Sequence, residues 1–329
     1  MRVLLTGGAG FIGSHFVRSM LTGRYPGLED ANLTVLDDLT YSGNQENLSP
    51  VATHRRLSFV KGDITDAVLV DELMPGHDVV VHFAAESHVD RSIVGAATFV
   101  TTNVLGTQVL LEAARRHGVA RFLHVSTDEV YGSIEDGSWA ENQSLAPRSP
   151  YAASKASSDL MTLAFFRTHG FDVVVTRCSN NYGPYQFPEK VIPLFVTNLL
   201  DGGTVPLYGD GLNIRDWLHV DDHCAGIALA LHKGRAGEVY HIGGGTELTN
   251  RELTEKLLAA CGANWDSVVP VEDRKGHDRR YSLDISKIGA ELGYAPAISL
   301  HDGLADTVAW YRDNRAWWEP LKARAQLLD

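Results

Sequence analysis

The stretch LLTGGAGFIGSHFV, residues 4–17, places three glycines between an apolar run and a helical pattern. The run Val3–Leu5 predicts a strand, and the residues over roughly Ile12–Leu21 predict a helix. Gly7, Gly10 and Gly13 have GxxGxxG spacing, which permits a tight turn and close approach of a pyrophosphate to the helix N-terminus. The alternative is a glycine turn without a ligand. We expect a dinucleotide-binding unit with these three glycines as cofactor contacts.

Short apolar runs recur through the first half of the chain and alternate with helical patterns. Further strands are predicted at Thr34–Leu36, Leu57–Val60, Val79–His82, Phe122–Val125 and Val173–Arg177. This alternation indicates an α/β fold with a Rossmann-like, doubly wound parallel sheet. Each run ends in a polar or glycine-rich segment, and ligands bind at the carboxyl ends of the strands in such sheets. The candidate site therefore lies at that edge of the sheet.

Asp37 ends the second predicted strand and is the next candidate for cofactor binding. A carboxylate there can accept a hydrogen bond from a ribose 2′-hydroxyl, and it repels a 2′-phosphate. The acid thus favours NAD over NADP. Without the glycine motif, a solvated acid at the strand end would be an equally good interpretation.

The sequence pattern weakens after about residue 178, where Gly, Pro and aromatic residues interrupt short elements. We expect residues 1–177 to form an NAD-binding Rossmann domain, and residues 178–329 to form mainly a smaller C-terminal domain that binds the substrate. The segment EVYHIGGG, residues 238–245, reads as another strand. Segments over about 215–245 are therefore expected to return to the first domain.

Composition narrows the classes of partner. The chain has 329 residues, 44% of them apolar, and a net charge of -12, which argues against nucleic acid or an anionic membrane as partner. The three cysteines are far apart, so we expect neither disulfides nor a metal site, and a reducing cytoplasm fits. The N-terminal apolar run is too short for a signal peptide or a membrane span.

Tyr151 and Lys155, in SPYAASKASSDL, are a candidate catalytic pair. Pro150 favours a helix start, which would place the two side chains one turn apart on the same face. An ammonium beside a phenol lowers the pKa of the phenol, so Tyr151 is a candidate base for an alcohol that is being oxidised. The alternative is an ordinary Tyr–Lys pair on an exposed helix.

Nine segments together resemble the extended short-chain dehydrogenase/reductase family, and in particular its nucleotide-sugar dehydratases. The resemblance covers nearly the whole chain and rests on TGGAGFIGSHF, LDDLTYSGN, GDI, HFAAESHVDRSI, STDEVYGS, SPYAASKASSD, RCSNNYGPYQFPEKVIPLF, GDGLNIRDWLHVDDH and DRKGHDRRYSLD. It implies NAD as cofactor and a nucleotide sugar, dTDP-glucose, as substrate.

The resemblance also implies contacts on matching positions. Those to NAD fall on Phe11, Ile12, Asp37, Asp38, Leu39, Thr40, Asp63, Ile64, Ala84, Ala85, Ser87, Thr102, Tyr151, Lys155 and Asn180. Those to the substrate fall on His88, Thr127, Asn181, Lys190, Val191, Pro206, Tyr208, Arg215, Asn250, Arg274 and His277. The division of Asn180 and Asn181 between cofactor and sugar is open. Among these residues, Lys190, Arg215, Arg274 and His277 read as a local clamp for a diphosphate; singly, each would be an ordinary surface charge.

The acid pair Asp128–Glu129 follows the fifth predicted strand. The resemblance implies oxidation at C4, elimination of water across C5–C6 and return of hydride to C6, with Tyr151 as base, Glu129 as the base at C5, Asp128 as the acid at O6 and Thr127 bonded to the C4 oxygen. Repulsion between adjacent carboxylates raises the pKa of one of them, which suits this division of roles. The pair taken alone would be a solvated loop feature.

Alternatives remain open. Another enzyme of the same scaffold, such as a 4-epimerase or a decarboxylase, would need Tyr151 and NAD but no acid pair. A non-catalytic dinucleotide sensor is a further alternative. The helix predicted around Thr98–His117 has apolar residues on more than one face, so it is either deeply buried or shared with a second subunit. We expect a homodimer held by this helix and the one near 152–169.

Overall fold

A seven-stranded sheet forms the centre of the protein. The structure, a computed structural model, describes residues 1–326. The strands of the sheet are β1 (Arg2–Thr6), β2 (Asn32–Asp37), β3 (Leu57–Lys61), β4 (Val79–His82), β5 (Arg121–Thr127), β6 (Val173–Cys178) and β10 (Val239–Ile242). Their order is β10-β6-β5-β4-β1-β2-β3, and every neighbouring pair is parallel. The predicted Rossmann-like parallel sheet is confirmed.

The strands form where the sequence is continuously apolar. Every residue of β4 and of β6 is buried, as expected of parallel strands covered on both faces. The six strands predicted in the first half of the chain all lie within observed strands. The segment predicted as a strand over 238–245 contributes only Val239–Ile242.

Helices cover both faces of this sheet. Apolar residues of α1 (Phe11–Leu21), α8 (Val220–Lys233) and α10 (Ser286–Leu292) share one core with the sheet. Those of α2 (Ala67–Leu73), α5 (Thr107–Arg116) and α6 (Pro150–His169) share the core on the opposite face. Short helices α3 (Val89–Val94) and α4 (Ala96–Phe99) precede α5. A π-helical stretch, Val100–Gly106, joins α4 to α5, so residues 96–116 run as one helix where the sequence predicted 98–117.

A smaller region is built from the later part of the chain. One small sheet contains β7 (Asn180–Tyr182), β9 (Ile214–His219) and β11 (Glu247–Thr249), and another contains β8 (Val205–Tyr208) and β12 (Val268–Val271). Helices α7 (Val191–Leu200), α9 (Asn250–Cys261), α11 (Leu300–Asp313) and α12 (Arg315–Gln326) complete it. Thus β10 returns to the main sheet, whereas β9 pairs outside it. The domain boundary near 178 stays a prediction.

The strand order reverses at β1, which lies between β2 and β4. Such a reversal opens a crevice at the carboxyl ends of the strands, where ligands of doubly wound sheets bind. The 3₁₀ turns Gln45–Val51 and Asp128–Tyr131 follow β2 and β5 at this edge, and a third, Trp265–Ser267, precedes β12. Within residues 1–326, no helix is long and apolar enough to cross a membrane.

Candidate active site

A cavity of about 320 Å³ lies at the carboxyl ends of the main strands. Its walls include these residues that the sequence predicted as cofactor contacts: Gly7, Gly10, Phe11, Ile12, Gly13, Asp37, Asp38, Thr40, Asp63, Ile64, Ala84, Ala85, Ser87, Thr102, Tyr151, Lys155 and Asn180. The predicted catalytic residues Thr127, Asp128 and Glu129 lie in the same walls, together with Asn181 and Lys190. The fold thus gathers segments that are far apart in the sequence around one cavity.

The glycine turn leaves no room for side chains. Gly7 has φ 70°, and a Cβ added to it would lie 2.5 Å from the amide nitrogen of Ala84. A Cβ on Gly13 would lie 2.2 Å from the carbonyl oxygen of Gly7. The first turn of α1 carries no acidic residue, so its unpaired N–H groups and positive dipole end remain available to an anion. The turn therefore suits close approach of a pyrophosphate.

Asp37 also stabilises the glycine turn, a role that the sequence did not predict. Its carboxylate accepts hydrogen bonds from the backbone N–H groups of Ala9 and Leu39, each over 2.9 Å. Burial raises the pKa of this carboxyl, and the two N–H donors act against burial. Each carboxylate oxygen keeps a further lone pair, so a ribose hydroxyl can still be bound. Asp37 thus anchors the glycine turn while it lines the cavity.

These features fit NAD. The glycine turn forms a cradle that a Cβ on Gly7 or Gly13 would fill, and Asp37 lies where a ribose hydroxyl is expected. The buried side-chain oxygen of Asn180 has no hydrogen-bond partner in the part of the chain that the structure describes. An acid at the end of β2 disfavours a 2′-phosphate.

Tyr151 and Lys155 are placed by the start of α6. Ser149 caps this helix, accepting a hydrogen bond from the N–H of Ala152, and Pro150 occupies its first turn. Lys155 Nζ donates to the carbonyl oxygen of Val125, on β5, over 2.8 Å. The helix start and the YxxxK spacing therefore bring both side chains to the cavity.

The expectation of a lowered pKa for Tyr151 is wrong. Burial, followed by the negative charge of Glu129, raises the pKa of Tyr151 well above its usual value. Burial also lowers the pKa of Lys155 to about 8, opposed chiefly by Asp159. Desolvation of the phenolate is the largest effect, so Tyr151 is a neutral phenol.

Thr127 ends β5, and Asp128 and Glu129 begin the 3₁₀ turn that follows it. Thr127 Oγ1 accepts from the N–H of Glu129 over 3.3 Å and donates to Asp128 Oδ1 over 3.2 Å. Asp128 is buried, and its other oxygen has no hydrogen-bond partner among residues 1–326. The turn holds the two carboxyl groups at the cavity in fixed orientations.

The two acids are electrostatically unequal. Burial, followed by the charge of Glu129, raises the pKa of Asp128 well above its usual value. Burial also raises the pKa of Glu129, but Arg274, Lys190 and Arg215 counteract it. The sequence-based argument named repulsion as the cause, whereas burial is the larger one. Asp128 is the group that keeps its proton more readily, and Glu129 is the better base.

Three of the four residues predicted as a basic clamp, Lys190, Arg215 and Arg274, lie close enough to Glu129 to lower its pKa, and we call them the basic cluster. Burial lowers the pKa of the fourth, His277, to about 4. Lys190 Nζ donates to the carbonyl oxygen of Ser87 over 2.8 Å, and the guanidinium of Arg215 lies over the Tyr281 ring, 4.1 Å from its centroid. Burial, then the charges of Lys190, Arg91 and Arg274, lowers the pKa of His88 to about 3. His88 is therefore neutral beside these cations.

Several predicted residues lie outside the cavity walls. They are Leu39, His88, Val191, Pro206, Tyr208, Arg215, Asn250, Arg274 and His277. Val191 and Asn250 begin α7 and α9, and Pro206 and Tyr208 lie on β8. Except for Leu39, all were predicted to contact the substrate; their contacts stay predictions.

Other residues line the cavity although the sequence did not single them out. They include Ser42, Glu86, Ser126, Cys178, Ser179, Gln186, Phe187 and Glu189. Four of these lie at or just beyond the ends of β4, β5 and β6, where the strand-end rule could have found them. Gln186, Phe187 and Glu189 lie in a loop without periodic pattern, so only the structure places them.

The glycine turn, the strand-end acid and the Tyr151–Lys155 pair on a doubly wound sheet define a dinucleotide-dependent enzyme that oxidises an alcohol. The sequence profile described as GDP-mannose 4,6 dehydratase matches residues 4–307. The chain belongs to this family, and the resemblance inferred from the sequence motifs is confirmed.

Individual relatives are similar over nearly the whole chain. A dTDP-glucose 4,6-dehydratase of Streptomyces niveus is 65% identical over 98% of this chain and 96% of its own length. DesIV, a dTDP-glucose 4,6-dehydratase from Streptomyces venezuelae solved with NAD and dTDP bound, is 66% identical, with a TM-score of 0.97 over 98% of this chain and 100% of that one. UDP-glucose 4-epimerase of Thermus thermophilus, solved with NAD, is 33% identical, with a TM-score of 0.87 over 95% and 100%.

Proposed function

We propose that the chain is an NAD-dependent dTDP-glucose 4,6-dehydratase, a hydro-lyase that converts dTDP-glucose to dTDP-4-keto-6-deoxyglucose and water in deoxysugar biosynthesis. One observation carries this conclusion: the Asp128–Glu129 pair and the Tyr151–Lys155 pair line the same cavity. Relatives at 65% and 66% identity have this activity in their names. The function predicted from the sequence agrees with them.

NAD would be held by the glycine turn, Asp37 and the other predicted cofactor contacts in the cavity wall. It supplies a reversible hydride acceptor, so a hydride lost from the sugar can return to it within one turnover.

The first task of the protein is to move the proton of the C4 hydroxyl. Tyr151 is the base, because its phenol lies at the cavity and shares this wall with Thr127, which orients the C4 oxygen. Tyr151 can accept a proton only as phenolate, and the Lys155 ammonium favours that state. Burial of all three side chains excludes water from the transfer.

The second task is elimination of water. The C4 ketone acidifies the C5 hydrogen, Glu129 removes it, and Asp128 donates a proton to the leaving C6 hydroxyl. The unequal surroundings of the two acids match these opposite roles, since Asp128 is the more strongly buried and Glu129 faces the cations. The proton taken by Glu129 then returns to C5. The C4 hydroxyl proton held by Tyr151 is released to solvent, and Asp128 takes up a proton to replace the one it gave to the leaving water, so the protein ends the turnover as it began.

The basic cluster provides local positive charge for an anionic substrate in a chain whose net charge is negative. A diphosphate would be repelled by a chain of net charge -12 unless cations were gathered locally. Lys190, Arg215 and Arg274 are near enough to Glu129 to influence its pKa, so they lie at the sugar end of the site. We infer that they bind the diphosphate, and that β8 and the first residues of α7 and α9 bind the nucleoside.

The alternative functions, an epimerase, a decarboxylase or a non-catalytic sensor, do not account for the acid pair in the cofactor cavity. An epimerase or a decarboxylase does not need acids at positions 128 and 129, and the epimerase compared above is only 33% identical. A non-catalytic sensor does not need buried proton-transfer groups at the cofactor cavity.

The deciding experiment offers purified protein dTDP-, UDP-, CDP- and GDP-glucose and measures the product masses. We expect loss of one water from dTDP-glucose, without added stoichiometric NAD. Substrate deuterated at C4 should give product deuterated at C6. Epimerisation without loss of mass, or deuterium released to solvent, contradicts the proposal. The Tyr151→Phe variant is the control, since it should leave the substrate unchanged.

We also infer a homodimer, held by residues 96–116 and α6. These helices pack together: Asn103 Nδ2 donates to Ser154 Oγ over 2.8 Å. Their outer surfaces keep Val100, Leu105 and Leu160 about half exposed, at 55%, 48% and 56%. Apolar residues of that size on adjoining helices suit burial against a second copy. A cytoplasmic location is proposed because Cys178, Cys224 and Cys261 are free thiols, as in reducing compartments.

A further inference from the structure

A network of buried, hydrogen-bonded polar side chains lies next to the two catalytic pairs, and the proposed mechanism does not use it. Its centre is Arg177, on β6, with 3% exposure. Arg177 Nε donates to Asp159 Oδ2 over 2.8 Å, and one of its terminal nitrogens donates to the hydroxyl oxygen of Tyr131 over 2.5 Å. The guanidinium also lies 4.8 Å from the centroid of the Tyr131 ring. Burying a guanidinium is costly unless it is well paired, and here it is paired on two sides.

On one side, Arg177 is linked through Asp159 to the Tyr151–Lys155 pair, which we call the oxidising pair. Asp159 lies four residues after Lys155 on α6, so both point to the same side of the helix. The second oxygen of Asp159 is 3.4 Å from Nε2 of His124, which is in turn 3.4 Å from Lys155 Nζ. Burial lowers the pKa of Lys155, and Asp159 is the main neighbour that opposes burial. Asp159 thus helps to keep the Lys155 ammonium charged.

On the other side, Arg177 is linked through Tyr131 to the Asp128–Glu129 pair, which we call the eliminating pair. Tyr131 is the last residue of the 3₁₀ turn that carries Asp128 and Glu129. Its hydroxyl lies 2.6 Å from Nε2 of His241, whose Nδ1 is 3.1 Å from the carbonyl oxygen of Asp284.

The direction of each hydrogen bond follows from this geometry. A neutral His241 that donates from Nδ1 to a carbonyl must accept at Nε2, so the Tyr131 hydroxyl donates to His241 and accepts from Arg177. Burial, followed by the charge of Arg177, lowers the pKa of His241 to about 3, which keeps the ring neutral. Every member of this side is satisfied, so the end of the turn has a single fixed position.

We propose that Arg177, acting through Asp159 and Tyr131, is a positioning residue that holds the oxidising and eliminating pairs in register. The inference rests on the proposed dehydration, in which both pairs act on neighbouring carbons of one sugar. A misplacement of about 1 Å is enough to slow such a reaction about a hundredfold. Arg177, on β6, joins α6 and the turn through a single side chain.

The test separates the two sides of the bridge in single-turnover experiments with dTDP-glucose, following NADH absorbance. Tyr131→Phe removes only the hydroxyl that anchors the turn. We expect NADH to form within about twofold of the normal rate and to decay about tenfold more slowly, because elimination is misaligned. Tyr240→Phe is the matched control: this buried tyrosine donates to Glu291 over 2.9 Å, away from the cavity, and its loss should change neither phase.

Asp159→Asn should give the opposite pattern. Loss of the carboxylate lowers the pKa of Lys155 further, so less of the ammonium form is present. NADH formation should therefore slow about tenfold, and its decay should change less. Equal slowing of both phases in both variants, or no change in either phase, would overturn the proposal. If Asp159→Asn does not fold, as thermal unfolding would reveal, Tyr131→Phe decides alone. If the unaltered protein forms no NADH with dTDP-glucose, the proposed function itself fails, which is a different outcome.

Discussion

Asp128 and Glu129 are neighbours in the chain but differ in surroundings, and this difference sets their chemistry. Asp128 is buried with one oxygen unpartnered, whereas Glu129 faces three cations of the basic cluster. Burial favours the protonated form of a carboxyl, and cations favour the ionised form. One short turn therefore supplies an acid and a base.

Replacing these residues separately should stop the reaction at different points. Glu129→Gln keeps the size and hydrogen bonding of the side chain but cannot accept the C5 proton. We expect bound NADH to accumulate, C5 exchange with deuterated solvent to stop, and product formation to fall by about two to four orders of magnitude. Asp128→Asn should still form NADH and exchange C5, yet release little product. Normal C5 exchange in Glu129→Gln would contradict the assignment.

The pKa of Lys155 should set the pH at which the rate of oxidation stops rising. Burial lowers its pKa from 10.5 to about 8, so the ammonium is present below that pH and is lost above it. The active pair, a Tyr151 phenolate beside a Lys155 ammonium, has one proton fewer than the phenol–ammonium pair and as many as the phenol–amine pair. The single-turnover rate of NADH formation should therefore rise with pH up to about 8 and level off above it.

Lys155→Arg provides the comparison for this pH dependence. Arginine keeps its charge throughout this range, so the phenolate forms only as Tyr151 itself ionises, and the rate should keep rising above pH 8, whatever the variant's absolute rate. If the rate of the arginine variant also levels off at about pH 8, the limit belongs to another group.

At the scale of elements, the glycine turn couples β1, β4 and α1 by direct backbone contact. Gly13→Ala would put a methyl group 2.2 Å from the Gly7 carbonyl oxygen, which forces α1 away from the turn. We expect the affinity for NAD, measured by calorimetry, to fall by at least about tenfold, because the pyrophosphate loses its fitted cradle.

A second glycine serves as the control for this experiment. Gly289 lies within α10, and a Cβ there meets only the Tyr294 carbonyl oxygen at an ordinary 3.4 Å. Gly289→Ala should leave NAD affinity unchanged and, because alanine favours helix, should not lower thermal stability. Equal losses of affinity in both variants would show a general effect on folding.

At the scale of the whole molecule, the proposed dimer makes a prediction about the exposed apolar residues of α6 and its neighbour. Leu105 and Leu160 are 48% and 56% exposed. Changing both to Glu would place charges in an apolar interface, so sedimentation velocity at micromolar concentration should show a monomer where the unaltered protein is a dimer.

The matched surface control is Val269→Glu. Val269 is 44% exposed on β12, which belongs to the smaller region, so this change should leave the dimer intact. A monomer in the unaltered protein would refute the dimer altogether.

The sequence by itself determined the features that depend on local pattern. Apolar runs located the strands of the first half to within one or two residues, because a strand buried on both faces must be continuously apolar. The GxxGxxG and YxxxK spacings located the glycine turn and the Tyr151–Lys155 pair, since each depends on the geometry of a single turn or helix. The specificity of the joined motifs was enough to place the chain in its family.

Only the tertiary structure decided what depends on distant contacts. Burial raises the pKa of Tyr151 where the helical pair alone predicted a lowered one, because desolvation comes from the whole fold. The pairing of β9 outside the main sheet follows from its partners β7 and β11. Arg177, Asp159 and Tyr131 share no sequence pattern, and three separate segments meet only in the packed interior. Local periodicity encodes elements, whereas the charge and position of a buried group are set by every residue packed around it.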